Sequence, residues 1–285
     1  MTWRALGGLA LAVVAISWGA PLARLTQAEP LAVAMWRMAL AALILIPLTA
    51  RREGWSTIRK HWKPVALSGM LLGLHFALWI PSLWLTSVSA SVVLVATSPL
   101  FILLLTPHFL GGTVRGRNLA TFGLALLGVA VISWGDFRVS GRALVGDAMA
   151  LGGALAAAGY MTIGKRLRRE VPLPAYLTTV YGVAAVALVT SVGVLAVPPL
   201  PRDSWSWLAL LGLAVGPTLV GHSLLNWSLG HLEAYKVNLA VLLEPVGASL
   251  LGWLVLGEIP PFHVVPGGGL VLIALALEYL PSRTR

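Results

Sequence analysis

The sequence contains no cysteine and little charge, and both absences restrict what the protein does. Without cysteine the chain forms no disulfide bond and offers no thiolate to a metal. Its six histidines show no pair at the spacing of a metal site, so we predict neither a metal nor another cofactor. Only 11% of its residues are charged, whereas soluble domains average about 25%. This composition excludes an ordinary soluble globule.

Long apolar runs fill the chain instead. A helix that crosses a bilayer needs about 20 mainly apolar residues. The runs are rich in Leu and Ala and do not alternate with polar residues, which favours helices over strands. We therefore predict an all-α integral membrane protein. Its ten predicted transmembrane helices cover 5–24, 30–49, 65–86, 89–108, 118–135, 145–165, 174–196, 206–228, 236–256 and 263–280.

The basic residues indicate orientation rather than a nucleic-acid partner. The chain holds 20 Lys and Arg against 10 Asp and Glu, mostly at the ends of apolar runs. If both termini are cytoplasmic, 15 of the 20 lie in cytoplasmic segments and 4 on the opposite side. Cytoplasmic loops carry such an excess. We predict a multi-pass protein of the cell (inner) membrane, embedded in the lipid bilayer, with both termini inside. The oligomeric state is left open, and a monomer is compatible with the sequence.

The second half of the sequence repeats the first. A shift of 146 residues places Pro99 on Pro245 and Gly111 on Gly257. A shift of 143 places the third helix on the eighth and matches Gly69, Gly73 and Trp84 with Gly212, Gly216 and Trp227. Each unit holds five helices, an odd number, so the second unit enters the membrane in the opposite sense. We predict two inverted five-helix repeats, residues 1–142 and 143–285, around a central cavity. Secondary transporters often share this plan, with the substrate site at the repeat interface.

Two polar stripes lie at equivalent positions of the two halves. His75, Trp79 and Ser82 share one face of the third predicted helix, and His222 and Asn226 share one face of the eighth. Polar side chains are unfavourable against lipid, so both faces are predicted to point into the bundle. We favour a water-filled cavity for the first stripe. For the second, a cavity and simple hydrogen bonding between helices both stay open.

Charged side chains inside the predicted helices are few. Arg37 and Glu244 lie well within apolar runs, where a charge costs about 2.5–3.5 kcal/mol and normally faces a partner or water. Glu244 is therefore predicted to meet substrate, a proton or Arg37. The alternative interpretation is that Arg37 extends its long side chain to the membrane surface. Because burial favours the protonated form of a carboxylate, proton coupling through Glu244 is a hypothesis.

Matched prolines interrupt the fourth and ninth predicted helices. Pro99 and Pro245 each remove one backbone hydrogen bond and should kink their helix. Broken helices at corresponding places of two halves point to a transporter's binding site. A kink without ligand contact is the alternative.

Three stretches resemble a known family: ISWGAP (16–21), LHFALWIPSLWLTSVSASVVLVATSPLF (74–101) and LAVLLEPVGASLLGWLVLGE (239–258). Through them the chain resembles the EamA family of the drug/metabolite transporter superfamily over nearly its whole length. The resemblance implies ten helices in two inverted repeats, cytoplasmic termini and a central cavity open alternately to each side. Family members mostly export amino acids and other small metabolites.

One departure from the family pattern concerns the ends of the fourth and ninth helices. Both often end in Gly-Glu, but only the second half keeps it, as Gly257-Glu258. The first half has Gly111-Gly112. A role shared by both glutamates is therefore not expected in the first half.

The resemblance favours a secondary transporter that exports amino acids or related small metabolites by alternating access. The chain shows no ATP-binding signature, so a gradient is expected to supply the energy. A membrane channel or non-transporting scaffold is one alternative, and a lipid-modifying membrane enzyme with His75 or His222 as base is another. The candidates for contact with the small-molecule substrate are Trp18, His75, Trp79, Ser82, Ser98, Tyr160, His222, Asn226 and Glu244.

Overall fold

The computed structural model describes residues 3–49, 55–102, 116–167, 170–228, 240–241 and 243–279, and within these ranges the chain forms helices and no strands. The helices are α1 (Trp3–Ser17), α2 (Gly19–Arg24), α3 (Pro30–Thr49), α4 (Trp55–Lys60), α5 (Trp62–Ser82), α6 (Val88–Val95), α7 (Gly116–Val139), α8 (Gly141–Leu167), α9 (Leu173–Val194), α10 (Trp205–Leu213), α11 (Ser223–Ser228), α12 (Glu244–Leu256) and α13 (Val264–Tyr279). A π-helix, Ala214–His222, joins α10 to α11.

The protein is an all-α, multi-pass membrane protein. Among the described residues, six helical stretches are long and apolar enough to cross a bilayer, and four shorter apolar helices accompany them. Every predicted apolar run is helical over most of its described part, whereas residues 103–108, 236–239, 242 and 280 of the predicted helices lie outside the described residues. The short helix α4 was not predicted, because it is too short and basic to resemble a membrane span.

The two segments with matched prolines are both interrupted. α6 ends at Val95, and the chain is helical again over 98–102, where Pro99 is the second residue. α12 begins after a turn at Leu243, and Pro245 is again second. Proline fits the first turn of a helix because that N–H has no partner inside the helix. Each proline thus starts a new helical segment instead of kinking a continuous one.

Helices from the first half of the chain pack on helices from the second. The pairs in contact are α1 with the π-helix, α5 with α8, α3 with α9, α6 with α12, and α7 with α13. Glycines allow the closest approaches: a Cβ built on Gly128 would lie 2.6 Å from the carbonyl oxygen of Gly267. Buried apolar side chains on these paired faces form the core.

Glycines four residues apart pack closely in one half only. A Cβ on Gly69 would lie 2.6 Å from the Val183 Cβ of α9, and one on Gly73 would lie 3.3 Å from a backbone oxygen there. At the repeat-matched positions, a Cβ on Gly212 would make ordinary contact with a leucine, and one on Gly216 would meet no atom within 4 Å. The matched spacing therefore marks close helix packing in the first half and not in the second.

Candidate functional site

A cavity of about 450 Å³ lies among the packed helices of both halves. Ligand pockets for small molecules commonly measure about 300–1,000 Å³. Its walls come from α1, α3, α5, α8, α9, α11, α12, the π-helix and the interrupted segment around Pro99. The residues singled out in the sequence that line it are Arg37, His75, Trp79, Ser98, Tyr160, His222, Asn226 and Glu244.

The cavity is open towards one end of the bundle and closed towards the other. α5 and α8 run antiparallel, because Gly153 lies against Trp79 and Gly159 lies against Leu71. Lys165, near the C-terminal end of α8, lines the cavity and is exposed. Trp79 also lines the cavity but is buried, and the residues after it in α5 do not reach the cavity. Lys165 therefore marks the mouth and Trp79 the floor.

Two predicted cavity residues, Trp18 and Ser82, do not line it. The Ser82 hydroxyl donates to the Trp79 carbonyl at 2.6 Å and lies 2.7 Å from the Ser91 hydroxyl, so it joins α5 to α6 beyond the floor. Trp18 lies at the break between α1 and α2, and Ile16 lines the cavity in its place. A regular helix through 5–24 was assumed, and the break changes which side chain faces inward.

The cavity face of α8 extends beyond the one residue selected from the sequence. Ala157, Met161 and Gly164 line the cavity together with Tyr160. Their spacing of three and four residues is that of one helical face. Continuing the helical period from Tyr160 would have found them, but they are small or apolar and carry no polar signal.

The π-helix positions a buried arginine. Pro217 has no N–H to give to the Leu213 carbonyl four residues earlier, and the π-helix, which bonds five residues back, passes over that gap. The Thr218 hydroxyl also donates to the Leu213 carbonyl at 2.9 Å. The hydroxyl oxygen then accepts the Arg37 Nε–H at 2.8 Å. The π-helix thus holds the guanidinium of Arg37, a residue of α3, in place.

Arg37 is buried at the cavity wall. Only 1% of it is exposed, and its guanidinium lies 4.3 Å from the centroid of the Phe76 ring, a cation–π distance. The alternative that Arg37 extends to the membrane surface is therefore wrong. Among the described residues it forms no direct ion pair with Glu244, and the two charges interact only at longer range. Its Nη1 has no hydrogen-bond partner there.

His75 presents a hydrogen-bond acceptor to the cavity. Its Nδ1 lies 2.9 Å from the Gly153 carbonyl oxygen, which only accepts, so Nδ1 carries the proton. In a neutral imidazole Nε2 is then an acceptor. The small size of Gly153 allows this contact, because a Cβ there would lie 3.2 Å from the Trp79 Cβ. The His75 and Trp79 rings stack with centroids 5.8 Å apart.

Two further acceptors face the cavity from the second half. Glu244, the first residue of α12, is partly buried, and the partial positive charge of a helix N-terminus favours its carboxylate. Within the described ranges, no hydrogen bond or ion pair engages that carboxylate. Asn226 donates its Nδ2–H to the His222 carbonyl at 2.8 Å, which leaves Oδ1 as an acceptor.

The closed end carries its own polar contacts. Glu258 Oε1 accepts the Val88 N–H at 2.6 Å, and Glu258 Oε2 lies 3.6 Å from Arg24 Nη1. The same Arg24 nitrogen donates to the Leu83 carbonyl. These contacts tie the ends of α2 and α12 to the turn between α5 and α6.

A multi-pass helical bundle around a small-molecule-sized cavity with several polar groups in its wall is typical of a membrane transporter. The family model described as the EamA-like transporter family matches twice, over residues 4–134 and 144–280. The chain therefore belongs to the EamA-like transporter family, and hence to the drug/metabolite transporter superfamily.

Individual relatives agree with this assignment. An uncharacterized transporter of Archaeoglobus fulgidus is 27% identical over 97% of this chain and 99% of its own. A riboflavin transporter of Brucella anthropi is 26% identical over 84% of each chain. A crystal structure with 22% identity covers all of both chains with a TM-score of 0.69, which shows the fold alone. The family and the two named relatives are transporters, not enzymes.

Proposed function

We propose that the protein is a secondary transporter that exports amino acids or related small metabolites by alternating access. The observation that carries the proposal is a cavity with polar groups in its wall, a mouth at Lys165 and a closed floor at Trp79. Alternating access requires such a state, in which the substrate site communicates with one side only. The second state opens the floor and closes the mouth.

The packing supports two inverted repeats, residues 1–142 and 143–285, and ten membrane helices. If the halves are exchanged, the α3–α9 and α7–α13 pairs each map onto themselves. The α5–α8 contact maps onto the contact of the π-helix with α1. The family model also matches each half separately. Repeats of this kind allow two states of similar energy, one open to each side, in which the two repeats exchange their conformations.

The polar wall favours a substrate with hydrogen-bond donors, such as the ammonium group of an amino acid. His75 Nε2, Asn226 Oδ1 and the Glu244 carboxylate are all acceptors. An ammonium group offers three donors and a charge that complements Glu244. Trp79 and Tyr160 supply an apolar, aromatic wall for the rest of the molecule.

A flat heteroaromatic substrate is a second candidate. The riboflavin transporter of Brucella anthropi covers 84% of this chain, and aromatic rings line the cavity here. Stacking of a planar ring on Trp79 or Tyr160 would use those rings. Riboflavin therefore belongs among the compounds tested.

The orientation follows from the charge distribution and fits export. The orientation that places 15 of the 20 basic residues on the cytoplasmic side has both termini inside the cell. In the cell (inner) membrane, the mouth at Lys165 then faces the cytoplasm. The closed end then faces outward. In this state the cavity would load substrate from the cytoplasm.

The test begins with cells that contain or lack the protein. Compounds excreted only by the cells that contain it are then tested in liposomes by counterflow of a labelled substrate, with amino acids and riboflavin included. Saturable counterflow is the expected result. Conductance without saturation would indicate a channel, and chemical turnover of a lipid without flux would indicate an enzyme.

A further inference from the structure

The closed end of the bundle is held by a cluster that links four helices: Arg24 ends α2, Leu83 follows α5, Val88 begins α6 and Glu258 follows α12. We propose that these four residues form a latch that keeps this end shut and breaks each time the cavity opens there. The proposal rests on the alternating-access function proposed above. It assigns a role to two charged residues that do not line the cavity.

The backbone fixes the position of Glu258. Gly257 has a φ of 68°, the left-handed conformation that favours glycine. The Gly257 N–H donates to the Trp253 carbonyl at 3.0 Å and the Glu258 N–H to the Gly252 carbonyl at 3.2 Å. The first bond is that of the αL motif, in which a left-handed glycine ends the helix, and the second bond turns the chain back over the end of α12. Glu258 is therefore carried rigidly by the end of α12.

Glu258 completes the N-terminus of a helix from the other half. The first N–H groups of a helix have no partner inside it. Ser87 accepts the Ala90 N–H at 3.0 Å, and Glu258 accepts the Val88 N–H at 2.6 Å. A carboxylate is also favoured there by the helix dipole. One side chain thus joins α12 to α6 by a charge-assisted bond.

Arg24 approaches the same turn from α2. Its guanidinium donates to the Leu83 carbonyl, lies 5.8 Å from the Trp84 ring centroid, and lies 3.6 Å from Glu258. The Arg24 and Glu258 side chains are 28% and 22% exposed, so water can replace these bonds when they break. Partly exposed ion pairs are individually weak. Several such contacts together hold this end of the bundle shut, and they can still break and form again.

The latch is connected to the cavity by α12 itself. The first residue of α12 is Glu244 in the cavity wall, and Glu258 follows its last turn. A helix of 13 residues spans about 20 Å. Because the chain turns at Leu243, α12 can tilt as a rigid unit about that break. A ligand or proton at Glu244 then acts on the latch through the helix.

A matched control lies at the same end of the bundle. Glu29 forms an ion pair with Arg202 at 3.1 Å. Glu29 directly precedes α3, five residues after Arg24, and its pair connects two loops without touching the turn between α5 and α6. Glu29→Gln removes the same type of charge without affecting the latch.

The experiment uses the absence of native cysteine. A Ser82→Cys reporter lies beyond the floor, and an Ala157→Cys reporter lies in the open cavity. Each is combined with Glu258→Gln, Arg24→Gln or Glu29→Gln in membrane vesicles of both orientations. The rate of labelling by a membrane-impermeant maleimide is measured from each face. No substrate is needed.

We expect Glu258→Gln and Arg24→Gln to raise labelling of the Ser82→Cys reporter from the Arg24 face at least tenfold. Labelling of the Ala157→Cys reporter from the Lys165 face should fall, whereas general loosening of the fold would raise both rates. Glu29→Gln should change neither. Equal rates in the Glu258→Gln and Glu29→Gln backgrounds, or a rise at both reporters, would overturn the latch. Absence of saturable flux in liposomes would instead overturn the proposed function.

Discussion

The two interrupted segments, 88–102 and α12 with the turn before it, share a backbone plan and differ in chemistry. In each, a proline is the second residue after the break, and the residue before it lines the cavity. That residue is Ser98 in the first half and Glu244 in the second. The duplicated pattern therefore provides the frame of the site, and the charge is present in one half alone.

The far ends of the same two segments differ in a similar way. Glu258, after α12, caps α6 and meets Arg24. The repeat-matched position holds Gly112, which lies outside the described residues and has no carboxylate to offer. Only one end of the bundle can be closed by a glutamate of this kind. Under the proposed alternating access, the two ends of the bundle are therefore not closed by equivalent contacts.

The largest expected effect comes from removing the charge that distinguishes the two segments. Glu244→Gln should lower saturable transport about 10- to 100-fold, since hydrogen bonds to charged groups contribute about 1.5–3 kcal/mol. Ser98→Ala should lower it only about 2- to 10-fold, because a neutral bond contributes about 0.5–1.5 kcal/mol. Initial transport rates in liposomes at equal protein content measure the loss in each variant. Equal losses would mean that the two segments are chemically equivalent.

The pH dependence of the same rates tests proton coupling. If Glu244 carries the coupled proton, the wild-type rate varies with pH and the Glu244→Gln rate does not. An unchanged pH profile in the variant would exclude Glu244 as the proton carrier and leave substrate contact as its role.

A smaller effect is expected from the glycines that pack closely in one half only. Gly69→Ala should destabilise the protein by about 1–3 kcal/mol, because its Cβ would lie 2.6 Å from Val183 and 2.9 Å from the Val180 carbonyl oxygen. Gly216→Ala should change stability by less than about 1 kcal/mol, since nothing lies within 4 Å of its Cβ. Unfolding in detergent measures both variants, and equal losses would contradict the asymmetry.

Much of the fold followed from the sequence because lipid permits few structures. Apolar runs of bilayer length had to be helices. His75 and Trp79 were correctly placed on one inward face, because α5 is a regular helix throughout and its period holds. Glu244 was placed in the cavity because a carboxylate is unfavourable against lipid. These inferences needed only local regularity and the cost of burying charge.

What the sequence did not predict depends on breaks in that regularity or on distant contacts. The break at Trp18 and the π-helix at Pro217 change the direction of side chains in ways that a constant helical period cannot follow. The contact of Glu258 with Val88 joins residues 170 positions apart. Ser82 was misplaced because its partner, Ser91, belongs to another helix. Tertiary packing decides the last two features.

The smallest effect tests the feature that the two halves share. Pro99→Ala and Pro245→Ala should each lower stability by about 0.4–1 kcal/mol, because proline in a compatible first turn stabilises chiefly by restricting the unfolded chain. Both prolines are the second residue of a helical segment, so the two losses should be nearly equal. The stability of each variant is measured by unfolding in detergent. Gly216→Ala serves as the reference for a substitution that hardly changes stability. A gain in stability at one site alone would mean that its proline breaks a helix that would otherwise continue, and the two breaks would then have different causes.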